Sequence, residues 1–215
     1  MSRKRRKGKG GKGRKGSAAR TAGTPGPGRR PLSRAKIRRR LHLAAGALLV
    51  VGVVAAIWWL SNAREQDFAA LATEGRGALQ SRVTTEPSAG RAHVSGSPRY
   101  GDRFPTSGAH SPTWVEPGVY GEAQRRAELV HALEHGNIVI YYDQPAAGVM
   151  ERLRAWASLY DGQWSGIVVV PAADLGEAIV LTAWTKRLRL DPFEPAVAAA
   201  FIDAYRGRGP ENPVR

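Results

Sequence analysis

Residues 41–60 read LHLAAGALLVVGVVAAIWWL, a run of 20 residues with one histidine and no formal charge. As a helix rising 1.5 Å per residue it spans about 30 Å, the thickness of a bilayer's hydrocarbon core. It is apolar on all sides, so it has no polar face to turn toward water and makes a poor core helix of a water-soluble domain. Trp58 and Trp59 close one end, where amphipathic indole rings favour the headgroup region. Arg38, Arg39 and Arg40 abut the other end. Basic residues flank spans on the cytoplasmic side, so the sequence predicts a cytoplasmic N-terminus and an extracytoplasmic C-terminal domain. A cleaved signal peptide is the competing reading, because Ser61-Asn62-Ala63 has the small-x-small form of a cleavage site. The apolar run exceeds the usual 7–15 residues of a signal core, and the basic leader before it is long, so a retained single-pass anchor is expected.

Charge separates the chain into unlike parts. Residues 1–40 carry 17 Lys and Arg and no acid; the remaining 16 basic and 18 acidic residues leave the rest near neutrality. The formal charge of +15 therefore belongs to the tail. This tail is Gly, Pro, Lys and Arg with almost no bulky apolar side chains, a composition that predicts disorder. Its expected partners are anionic lipid headgroups. Nucleic acid is not expected, since no aromatic residues interleave the charges and the folded part has no basic surplus.

The absence of cysteine excludes disulfides, iron–sulfur clusters, thiolate zinc sites and cysteine nucleophiles. With Met1 and Met150 the only methionines, a Met-rich copper(I) carrier is excluded too. A metal site would have to use His, Asp, Glu or backbone oxygen.

Residues 61–90 read as a spacer. Helix continues for a turn or two over residues 64–72, then Gly75, Gly77, Pro87 and Gly90 interrupt it. A globular domain is expected over residues 91–211. Asn137-Ile-Val-Ile-Tyr-Tyr142 is a short apolar run rich in β-branched and aromatic residues, which suits a buried strand. Val149, Leu153, Trp156 and Tyr160 share one face of a helix. Residues 167–170 and 179–184 read as two further strands. Asp191-Pro-Phe-Glu194 has the pattern of a helix start, and Gly207 that of its stop. The order from residue 137 is β-α-β-β-α, an α+β domain with helices packed on a small sheet.

Four of the five histidines, His93, His110, His131 and His135, fall within 43 residues just before the first core strand. His131 and His135 stand four apart, an interval that puts them on one face of a helix or of a strand alike. Leu129 to His135 followed by Gly136 reads as a helix end, which places Glu134 where it can join or orient the pair. A site built of imidazole, or imidazole plus carboxylate, suits copper(II) or zinc. The candidate ligands are His110, His131 and His135, with His93 or Glu134 as a further one. Two other readings compete. The histidines can be structural, hydrogen-bonded to backbone and to Glu134 in a packed polar core. Alternatively His131-Ala-Leu-Glu134-His135 is the His-x-x-Glu-His signature of inverted zinc proteases, with Glu134 activating a metal-bound water and Glu177, Glu194 or Glu211 as third ligand. The motif fixes only three residues and the chain is short for such an enzyme, so catalysis is not the expectation.

At these residues the sequence resembles the domain of unknown function 3105 family, bacterial proteins often carrying one N-terminal transmembrane segment. The resemblance rests on His93-Val94 with Tyr100, Pro105-Thr-Ser-Gly-Ala-His110, Gly118-Val-Tyr120, Leu129-Val-His-Ala-Leu-Glu-His-Gly136, Thr182-Ala-Trp184 and Gly209-Pro-Glu211. Together these cover residues 91–211. Phe104 stands where the family pattern usually has the first of two prolines. The resemblance brings no activity, but it implies that all four histidines of the domain sit in recurrent motifs.

Overall fold

The computed structural model describes residues 34–215. The basic segment 1–33, read above as a disordered tail, lies outside the described residues. Contacts divide the chain into two units at Val50/Val51. In the first, the described residues belong to helix α1 (Arg34–Leu79), with Leu41, Leu43, Leu48, Leu49 and Val50 exposed. The second unit holds the rest of α1 and the whole sheet. α1 is long and apolar enough to cross a membrane, and its most apolar window buries nothing against protein.

Six strands form one mixed sheet: β1 (Thr84–Thr85), β2 (Gly118–Val119), β3 (Ile138–Tyr142), β4 (Ile167–Pro171), β5 (Ile179–Ala183) and β6 (Lys186–Leu190), in the order β1-β6-β5-β3-β4-β2. β3 and β4 run parallel, joined through helix α3 (Val149–Leu159); β5 and β6 are antiparallel neighbours. This confirms the α+β reading and adds three strands to it, β1, β2 and β6. Sequence reasoning missed β6 because Lys186, Arg187 and Arg189 mask its alternation, in which only Leu188 and Leu190 are buried. Trp184 and Thr185 form the two-residue turn before it, with Thr185 at φ +60°.

Alternation along the strands divides the core in two. Ile138, Ile140, Ile167, Val169, Ile179 and Leu181 face α1, α3 and α4 (Pro195–Tyr205). Val139, Tyr141, Val168, Val170 and Val180 face helix α2 (Arg126–Glu134) and the loops around it. Burial on both faces explains why β3 and β4 read as continuous apolar runs.

Two expectations are corrected. The supposed spacer is helical to Leu79, and Phe68, Ala72 and Leu79 are core residues. Gly75 does not break α1; it lets the helix backbone touch α4, since a Cβ there would stand 2.0 Å from the Ala196 carbonyl oxygen. The last helix starts at Pro195 with Glu194 as its cap position, one turn later than Asp191 suggested. Its end before Gly207, at φ +73°, is as expected.

Candidate metal centre

α2 carries the pair. Leu129, Ala132 and Leu133 bury one face of this helix against β3 and β4, which turns His131 and Glu134 toward the preceding loop. His135 caps the helix and Gly136 ends it at φ +96°. The helix reading of the His131/His135 spacing is thereby borne out, and the two ring centroids lie 4.6 Å apart.

The Pro105–His110 loop lies over this helix. Thr106, Ser107, His110 and Ser111 are all buried. Thr106 Oγ1 donates to Glu86 at 2.7 Å, the Ala89 amide donates to Ser107 Oγ at 3.0 Å, and Tyr100 Oη donates to the Ala109 carbonyl at 2.7 Å. His93 joins through a backbone bridge to His110, closed by the Val94 amide on the His110 carbonyl at 2.8 Å and the His110 amide on the Ala92 carbonyl at 2.9 Å. His93 thus stands beside His110, with its ring half exposed.

The donor atoms fall into two groups that share His131. One is His93, His110, His131 and Glu134; the other is His131, His135 and Glu211; within each, one ligand atom per residue lies within 4.8 Å of every other. All five residues expected at the site belong to these groups. The structure does not place His110 and His135 in one group; each is grouped with His131 separately.

The hydrogen bonds fix which nitrogens are free. His110 Nδ1 is 2.7 Å from the Gly108 carbonyl and His131 Nδ1 is 2.7 Å from the Ser111 carbonyl. A carbonyl only accepts, so each Nδ1 carries the hydrogen and each Nε2 points into the centre. There His110 Nε2 meets Glu134 Oε2 at 2.9 Å, and His93 Nε2 lies 3.6 Å from the same oxygen. Glu134 is buried at 3 % exposure, and a buried carboxylate needs a cation or donors around it. With His110 Nδ1 already donating, a proton or a metal ion must sit between His110 Nε2 and Glu134.

The second group lies at the chain's C-terminal end. Gly209 packs on the end of α2 so closely that a Cβ would meet the Glu134 carbonyl oxygen at 2.1 Å. The Glu211 amide donates to that carbonyl at 3.3 Å, and its carboxylate reaches His135 Nε2 at 3.1 Å and His131 Nε2 at 3.6 Å. His135 is flanked by Trp114 and Trp164, at ring-centroid distances of 4.7 and 4.2 Å, and its Nδ1 is buried with no hydrogen-bond partner. Burial holds the His131 and His135 imidazoles below the ordinary histidine range; neighbouring histidines add to this, and Glu211 opposes it. Both rings are therefore biased to the neutral form that a metal requires.

Of the three carboxylates considered as extra ligands, only Glu211 is present. Glu194 pairs with Arg82 at 2.7 Å, and Glu177 is exposed outside both groups. The chain matches the family described as "Protein of unknown function (DUF3105)" over residues 93–215. It belongs to that family. No curated protein and no solved structure matches it. The DUF3105 region takes in every donor of both groups, and its resemblance stretches acquire physical roles. Tyr100 holds the His110 loop, Trp184 lies 6.3 Å from the His110 ring, and Gly209-Pro-Glu211 delivers the carboxylate. Sequence reasoning missed Trp114, Trp164 and the Ser111 carbonyl, which carry no motif of their own.

Proposed function

We propose that this DUF3105 protein is a single-pass, membrane-anchored protein whose extracytoplasmic domain binds one copper(II) or zinc(II) ion. The ligands of this reading are Nε2 of His110 and His131, with His93 and Glu134 completing the set. One observation carries it. Both buried imidazoles commit Nδ1 to a backbone carbonyl, the outer hydrogen bonding that fixes metal-ligating histidines, and His110 presents its Nε2 to the buried Glu134 carboxylate. The apolar segment 41–60 and the basic residues before it support the anchor and its orientation, with anionic lipid headgroups as the tail's partner.

The competing reading is a packed polar core without metal, favoured by the 2.9 Å contact of His110 with Glu134, which a shared proton satisfies. The His-x-x-Glu-His hydrolase reading has less support. It needs Glu134 turned to a water on the ion held by His131 and His135, whereas Glu134 faces His110 and the carboxylate at that pair is Glu211.

The test is metal analysis and thermal melting of the full chain in detergent micelles. The expected result is about one ion per chain, with melting raised on addition of Zn(II) or Cu(II) because metal binds the folded state selectively. His131→Ala removes both effects. A wild type that binds neither ion, while His131→Ala still melts early, overturns the metal reading in favour of the polar core.

A further inference from the structure

The two donor groups meet at one atom. His131 Nδ1 is occupied by the Ser111 carbonyl, which leaves a single lone pair at Nε2 for two sets of partners. One lone pair ligates one ion, so the two groups cannot both be completed at once. We infer that His131, His135 and Glu211 form a second, weaker position for the same ion, alternative to the position at His93, His110, His131 and Glu134. This rests on the metal reading above and adds to it that the ion has two seats joined by a common ligand.

The chemistry ranks them. The first set has four donors, and two of its imidazoles have Nδ1 hydrogen-bonded to carbonyls. The second has three donors, and the Nδ1 of His135 is buried without a partner. To ligate through Nε2, His135 must carry its hydrogen on Nδ1, where nothing accepts it. Loss of such an outer hydrogen bond weakens metal binding by about 10- to 100-fold. The second seat is also the more open on its carboxylate side. The Glu211 side chain is 38 % exposed and comes from the C-terminal segment, whereas the Glu134 side chain is 5 % exposed. An ion at His131 can therefore be handed from a four-donor seat with a buried carboxylate and a half-exposed His93 to one with a solvent-facing carboxylate while keeping one ligand throughout. That arrangement suits an ion taken up and given away.

Equilibrium dialysis of the full chain in detergent micelles against Zn(II) tests this, with near-ultraviolet circular dichroism confirming that each variant is folded. Wild type takes one Zn(II) per chain, and His131→Ala takes none. His110→Ala still takes one, about 10- to 100-fold more weakly. The double variant His110→Ala with Glu211→Gln takes none. Where His110→Ala does not fold, His110→Gln replaces it, because its amide still donates to Glu134. A folded His110 variant with no residual Zn(II) overturns the second seat. So does residual binding that Glu211→Gln leaves unchanged, or two ions per wild-type chain. A wild type without Zn(II) refutes the metal reading itself, and this inference with it.

Discussion

Phe68 tests whether the latter part of α1 belongs to the folded domain. It is 3 % exposed and meets Trp156 and Tyr160 edge-on, at centroid distances of 5.6 and 5.0 Å and interplanar angles of 87° and 75°. Removing a buried phenylalanine to alanine costs about 3–5 kcal/mol, which includes the lost transfer energy and the cavity left behind. The upper half of that range is expected here, because α1, α3 and the sheet all border the site and cannot all collapse into it. In a unit of this size 1 kcal/mol shifts the melting temperature by about 2–4 °C, so the variant should melt roughly 8–20 °C early. Calorimetry of the full chain in detergent micelles reads this directly. Gln66→Ala, two residues away and exposed, is the control, with an expected change within about 0.5 kcal/mol. If Phe68→Ala melts with the control, residues 61–79 are a spacer after all. The same reasoning predicts that a fragment starting at Ser88 is unstable, because it lacks Phe68, Ala72 and Leu79.

Gly75→Ala should destabilise in a urea titration although alanine is the better helix former by about 1 kcal/mol, because its Cβ collides with the α4 backbone; a stabilised variant would refute the contact. A reporter fused after Arg215 should be active only outside the cytoplasm, and the purified protein should keep its N-terminus; cytoplasmic activity, or a chain beginning at Arg64, would overturn the retained anchor or its orientation. Metal-free protein should lose stability as pH falls. His131 and His135 have folded-state pKa values below the unfolded value of about 6.5, so between these values the unfolded chain binds more protons than the folded one. Their contribution is complete above the unfolded value and is lost as pH falls toward the folded ones. Melting temperature should drop from pH 7.5 to 5, and less steeply in His135→Ala; equal slopes would refute the assignment.

The centre of the sheet was legible because its strands are buried on both faces and speak in uninterrupted apolar runs, as in Ile138–Tyr142 and Ile167–Pro171. β6 was not, since its outward positions carry arginine and lysine. Gly75 misled in an instructive way. A glycine in a helix costs stability, so sequence logic reads it as a break; here it marks a backbone approach that only the tertiary structure defines. The strand residues Thr84–Thr85 and Gly118–Val119 are two-residue edges, too short for any periodicity to appear.

The site was legible where its donors are local to one another and opaque where they are not. His131 and His135 share a face by spacing alone, and Glu134 follows from the same helix. His93 and His110 lie 17 residues apart and meet through a two-residue backbone bridge, which no pattern announces. Glu211 was one carboxylate of three until Gly136 and Gly209 are seen together. Gly136 takes a positive φ that ends α2, and Gly209 lays the C-terminal segment against that end with no side chain between the two backbones. Any residue larger than glycine at 209 would push the segment off the helix and carry the Glu211 carboxylate away from His131 and His135. The Gly209-Pro-Glu211 stretch thus owes its meaning to the His-x-x-Glu-His stretch that ends 74 residues earlier: the glycine sets the distance at which the glutamate becomes a possible ligand.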